Sequence, residues 1–135
     1  MQAQKQKILV IEDEKIILKA FSEELRDQGF MVVTATNGQE GLVTALSEKP
    51  DLILLDILMP VMDGLQMMKK LRLDPWGRTV PIILLTNLGA DEKILKSMIQ
   101  DKPLYFLIKS DWNISDVADK IKAVFSELDR VGVTM

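Results

Sequence analysis

The sequence predicts an α/β fold: a doubly wound parallel sheet of five strands with helices on both faces. Three observations carry that expectation. Five short runs are continuously apolar, as strands buried on both faces of a parallel sheet are. The segments between them repeat apolar residues at helical spacing instead. Runs and helical segments alternate strictly along 135 residues, a length that suits one domain with a real core.

The first run is KILVI (Lys7–Ile11). After it Ile17, Leu18, Phe21 and Leu25 share one helical face, and Gly29 supplies a C-terminal stop. FMVVTA (Phe30–Ala35) is the second run, and NGQE (Asn37–Glu40) reads as a capping box opening a helix that ends before Pro50. DLILL (Asp51–Leu55) is the third run, with Asp56 at its end. From Gly64 to Leu73, Leu65, Met68 and Leu71 recur at helical spacing before DPWG turns the chain. PIILLT (Pro81–Thr86) follows, then a helix from Asp91 to about Gln100 with Ile94, Leu95, Met98 and Ile99 on one side. LYFLI (Leu104–Ile108) is the fifth run. The last helix, Asn113 to Leu128, carries a wide apolar stripe that includes Ile114, Val117, Ile121, Val124 and Phe125. Met59, Met62, Met67 and Met68 read as adaptable packing, and Trp76 as a turn or rim residue. There is no internal repeat, linker or low-complexity segment.

Composition narrows the chemistry. The chain is 47% hydrophobic and 27% charged, as globular domains are. It has no cysteine, which excludes disulfides, thiolate metal sites and a thiol nucleophile. It has no histidine, which excludes imidazole acid–base catalysis, serine triads, imidazole zinc sites and a phosphohistidine-carrier role. A net charge of −3 without clustered Lys or Arg speaks against nucleic-acid binding as the main activity. No apolar run approaches the ~20 residues that span a bilayer. MQAQKQK lacks the apolar core of a signal peptide, so a cytoplasmic location is expected.

In doubly wound folds ligands bind beyond the C-terminal ends of the strands. At those ends stand Glu12 and Asp13, Asp56, Thr86 and Lys109, whereas the second run ends without charge. A carboxylate closing an apolar run is expensive to bury unless it is compensated. One lysine cannot neutralise three acids, so a divalent cation is the missing partner. An all-oxygen donor set selects a hard ion, Mg²⁺ or else Mn²⁺. Each residue alone has a plainer reading: a hydrogen-bonded strand-end Asp, helix-dipole acids at Glu12–Asp13, a strand-filling Thr86, a solvated Lys109. Their convergence on one sheet edge favours a site.

VIEDE (Val10–Glu14), LLDILMPVMDG (Leu54–Gly64), ILLT (Ile83–Thr86) and IKS around Lys109 resemble, in order and interval, the receiver domain of two-component response regulators. The resemblance covers roughly residues 6–128 and treats 1–135 as a single receiver domain. It implies the flavodoxin-like (CheY-like) sheet with strand order 2-1-3-4-5 and five helices. It makes Asp56 the phosphoacceptor. Mg²⁺ would be bound by Asp13 directly, Glu12 through water, Asp56, and the backbone carbonyl of Leu58. Thr86 and Lys109 would bind the phosphoryl group. Phe106 matches the aromatic switch position, with Tyr105 as its competitor and plain core packing as the rival role. Pro60 and Gly64 match the turn after the acceptor.

The implied partners are a sensor histidine kinase or phosphotransfer protein, and a downstream protein target engaged through the surface of helix four, strand five and helix five. Neither direct nucleic-acid binding nor membrane insertion is expected, and phosphorylation-linked homodimerisation is left open. The domain is expected to accept phosphate without being a turnover enzyme on an external substrate. It reads as a stand-alone receiver, or else as a piece of a larger regulator or hybrid kinase.

Ser110 stands where the family has proline after the lysine, Asn87 where a small residue is usual, and Glu12 where aspartate is commoner. Leu58 and Leu88 occupy the positions that flank the hydrolytic water in the family. Neither can orient water, so slow autodephosphorylation is expected. Three other readings compete, one of them a degenerate, constitutively folded receiver used only as an interaction module, against which the intact acidic pocket argues. A flavodoxin-like FMN protein would need a hydroxyl- and glycine-rich loop where EDEK stands. An aspartyl phosphatase would need an acid two residues past the nucleophile, where Leu58 stands.

Overall fold

The computed structural model describes residues 5–57, 59, 61–86, 105–108 and 113–130. Its strands are β1 (Lys7–Ile11), β2 (Met31–Ala35), β3 (Leu52–Asp56), β4 (Ile82–Thr86) and β5 (Tyr105–Ile108). Its described helices are α1 (Lys15–Asp27), α2 (Gly38–Glu48), α3 (Gly64–Arg72) and α4 (Ile114–Arg130). The strands form one parallel sheet in the order β2-β1-β3-β4-β5, as expected. The helix expected over 91–100 lies outside the described residues, so α4 is the last helix of the sequence reading. Among the described residues no helix is long and apolar enough to cross a membrane.

Alternation along the strands separates two cores. Ile8 and Val10 of β1, Leu52 and Leu54 of β3, and Ile83 and Leu85 of β4 face α1 and α4. Leu9, Ile11, Ile53, Leu55, Ile82 and Leu84 face α2 and α3 on the other side. Because β3 lies between β1 and β4, Leu52 through Leu55 are fully buried. The edge strand β2, paired on one side, keeps Met31 and Thr34 exposed.

Local sequence explains the helix boundaries. Gly29 adopts φ +98 after α1. The Phe30 amide donates to the Leu25 carbonyl and the Gly29 amide to the Arg26 carbonyl, both at 3.0 Å, which is a Schellman motif. At α2 the Asn37 side chain accepts from the Glu40 amide at 2.8 Å. The Glu40 carboxylate in turn accepts from the Thr36 amide at 3.2 Å, one residue before the N-cap. Asp63 caps α3 by accepting from the Gln66 amide at 2.9 Å, and Asn113 caps α4 by accepting from the Asp116 amide at 2.8 Å.

β3 ends at Asp56, as the sequence reading expects, because Asp56 still pairs with Leu85 of β4. One detail differs. In α3 the fully buried face is Met67, Met68 and Leu71 behind Gly64, while Leu65 is half-buried. Glycine carries no hydropathic signal, and the face that it anchors is rotated from the leucine stripe.

Candidate functional site

β1 and β3 are neighbours in register, Ile11 opposite Leu55, so the residues that follow them emerge side by side at the C-terminal edge. The Glu12 amide donates to the Ala35 carbonyl at 3.0 Å, continuing the ladder toward β2 and fixing the exit of β1. The Glu12 carboxylate folds back and accepts from the Glu14 amide at 3.2 Å. Glu14 is the N-cap of α1 and makes no side-chain cap, so Glu12 supplies an acceptor at the helix entrance. Asp56 is held by the strand itself, and the next amide, Ile57, donates to the Leu85 carbonyl at 3.1 Å.

The result is an acidic cluster. Glu12 is 1% exposed, Asp56 4%, and Asp13 intermediate. One carboxylate oxygen from each lies within 4.8 Å of the others. At that separation two ionised carboxylates repel by about 3.5 kcal/mol at an effective dielectric near 20. Three hard oxygen donors from three residues, two of them removed from bulk water, suit an ion such as Mg²⁺ and offer nothing to a soft metal.

Of the sequence-predicted site residues, the fold thus brings together Glu12, Asp13 and Asp56. Thr86 ends β4 one residue beyond Leu85, the partner of Asp56, and stands opposite Ile108 in β5. Tyr105 and Phe106 are opposite Ile83 and Leu84. The side-chain roles expected of Thr86, Phe106 and Tyr105 lie outside the described residues. So do the expectations for Leu58, Pro60, Asn87, Leu88, Lys109 and Ser110.

The turn after Asp56 is tighter than its sequence suggests. The Gly64 amide donates to the Ile57 carbonyl at 2.8 Å, and a Cβ on Gly64 would lie 2.3 Å from the Asp56 carbonyl oxygen. Only glycine lets α3 begin against the backbone of Asp56. From the opposite side the Gly38 amide donates to the Met62 carbonyl at 2.9 Å. Sequence reasoning named Gly64 only as part of the turn, and it gave Gly38 no role. The contact partners of both are backbone atoms brought in by the fold, which composition cannot signal.

The family model described as the response regulator receiver domain matches residues 8–122. The chain belongs to that family. This receiver domain is 43% identical over 89 residues to the probable transcriptional regulator ycf27 of Porphyra purpurea, covering 66% of the chain and 35% of the relative. It is 31% identical over 127 residues to the probable transcriptional regulatory protein TcrX of Mycobacterium tuberculosis, covering 94% and 51%. Among solved structures it resembles the CheY-like response regulator receiver domain protein of Methanospirillum hungatei, with a TM-score of 0.84 at 26% identity over 94% of this chain and 98% of that one. The receiver domain therefore spans about a third to a half of these curated relatives, and nearly all of the solved neighbour. The resemblance read from VIEDE, LLDILMPVMDG and ILLT is borne out at the level of family and fold.

Proposed function

We propose that this chain is the phosphoacceptor of a two-component, histidine-to-aspartate phosphorelay, with Asp56 taking the phosphoryl group. The observation that carries this reading is the placement of a nearly buried Asp56 at the end of the central strand, within 4.8 Å of Glu12 and Asp13. A carboxylate oxygen of Asp56 attacks the phosphorus of a phosphohistidine on the donor. An O–P bond forms as the N–P bond breaks, and the departing imidazole nitrogen keeps the bonding pair and takes up a proton. The product is an acyl phosphate.

Glu12, Asp13 and Asp56 are the residues that would hold Mg²⁺, or Mn²⁺ in its place, with Leu58 contributing its carbonyl by family resemblance. When bound, that ion supplies positive charge against the oxygens of the transferring group. β3 keeps the Asp56 backbone from moving as the group arrives, and the Glu14 amide holds one oxygen of Glu12 in orientation. Thr86 and Lys109 are assigned to the phosphoryl group on their sequence motifs, and Phe106 to the switch, ahead of Tyr105.

The donor is a sensor histidine kinase or phosphotransfer protein in the cytoplasm, and the phosphorylated domain acts on a downstream protein. The domain assists its own phosphorylation and hydrolysis without turning over an external substrate. Leu58 and Leu88 leave the hydrolytic water unoriented, so the acyl phosphate is long-lived.

The test is to incubate the protein with a small phosphodonor and Mg²⁺, quench in acid and weigh it intact. A phosphate adduct is expected in wild type and not in Asp56→Asn; an adduct that persists in Asp56→Asn, or none in wild type, overturns the reading. Leu58→Asn and Leu88→Glu are expected to speed phosphate loss, and unchanged decay in both removes the shielding role.

A further inference from the structure

The chain from Ile57 to Gly64 leaves Asp56 and returns to it, since the Gly64 amide donates to the Ile57 carbonyl and Gly64 abuts the Asp56 carbonyl oxygen. Within it Val61 adopts φ +69 and is 81% exposed. A β-branched residue in the left-handed region is a true outlier, because its Cβ meets its own carbonyl there. Burial does not repay the strain, since the isopropyl group lies in solvent. The backbone is therefore imposed by its neighbours.

The next residue shows how. Met62 is 7% exposed and accepts from the Gly38 amide at 2.9 Å. A Cβ on Gly38 would lie 2.1 Å from that same carbonyl oxygen, and the obstacle is backbone. The first residue of α2 is thus pressed onto the acceptor turn as closely as a residue can be, and only as glycine.

We propose that Gly38 is a positioning residue for the Asp56 site: its amide clamps the turn after β3, and the left-handed backbone at Val61 is held by that clamp. α2, which contributes no residue to the acidic cluster, then sets the geometry of the chain that follows the acceptor. Releasing the clamp lets Val61 relax toward an ordinary φ, and the turn drifts from the cluster. The metal readout rests on the phosphoacceptor reading; the amide-exchange readout does not.

The experiment compares wild type, Gly38→Ala, Val61→Asn and the double variant. Mg²⁺ binding is measured by calorimetry, and amide exchange is followed residue by residue in the absence of metal. Asparagine adopts left-handed backbone with little strain. Gly38→Ala is expected to weaken Mg²⁺ at least tenfold, Val61→Asn to bind as wild type, and the double variant to recover most of the loss. Recovery marks positioning, because a merely damaged fold would not be repaired at Val61. Gly38→Ala binding as tightly as wild type, or a double variant no better than Gly38→Ala, overturns the proposal.

If wild type binds no Mg²⁺, the phosphoacceptor reading fails and the clamp is judged by exchange alone. The same arm decides if Gly38→Ala does not fold. In Val61→Asn the Gly38 amide is expected to exchange roughly 5–30-fold more slowly than in wild type, because the closed turn has lost its strain. The amide of Leu54 serves as the reference. A Gly38 rate unchanged, or slowed only as much as that of Leu54, overturns the clamp.

Discussion

Gly64→Ala sets two effects of opposite sign against each other. Gly64 is the first residue of α3, where alanine's better helix propensity would stabilise the protein by at most about 1 kcal/mol. Against that, the new Cβ would stand 2.3 Å from the Asp56 carbonyl oxygen and 3.0 Å from the Ile57 Cα. Real contacts of that kind require a shift of more than half an ångström, and the obstacle is the backbone of a strand hydrogen-bonded on both sides. Overpacking against such a partner belongs at the upper end of the usual range, about 3 kcal/mol. The net expectation is a loss of about 2 kcal/mol, roughly 7 °C in Tm for a domain of this size.

Urea unfolding followed by tryptophan fluorescence reads this directly, as a midpoint about 1 M lower with an unchanged slope. Gly29→Ala is the control: nothing lies within 4 Å of its Cβ, so only the strain at φ +98 counts, about 1 kcal/mol. A Gly64→Ala protein as stable as wild type would show that the Asp56 backbone yields to α3, and the reasoning from close approach would be wrong.

Other expectations follow from the same structure. Mg²⁺ at ten times its dissociation constant should stabilise wild type by about 1.4 kcal/mol, and Asp13→Asn should abolish most of that gain in a thermal melt. Leu54→Ala, in a fully buried position of the central strand, should lose about 3–5 kcal/mol in urea unfolding; a loss under about 1 kcal/mol would mean that the core collapses around the gap. Asn37→Ala should cost about 1 kcal/mol by removing the α2 cap, checked by the same unfolding curve. Arg72 donates to the carbonyls of Gly77 and Val80 at 2.7 and 2.8 Å, so Arg72→Ala should open the segment after α3 to limited proteolysis several-fold faster than wild type.

Continuous apolar runs of five residues allow little besides buried parallel strands, which is why the strands and the acidic edge were legible from residue order. The cluster followed because strand register carries Glu12 and Asp56 to neighbouring ends. The caps at Asn37 and Asp63 are local chemistry, and only the first was read, because NGQE is a complete box and the run after Asp63 has no reciprocal acid. Met67, read as packing, was left off the α3 stripe because the buried face of that helix starts at a glycine. Val61 gave no signal at all: nothing in MPVMDG says that its valine must stand left-handed, since the requirement comes from Gly38 and Met62 after the chain has folded.

The separation of the two cores by the sheet has a spectroscopic consequence. The buried methionines among the described residues, Met62, Met67 and Met68, all fall on the α2/α3 side, while Phe21, Phe30 and Phe125 fall on the α1/α4 side. The methyl resonances of these three methionines and the ring resonances of these three phenylalanines therefore report opposite faces of one sheet. A change at Asp56 that travels to one side only would perturb one of these sets and leave the other where it was, so the direction of a signal could be read by comparing the two.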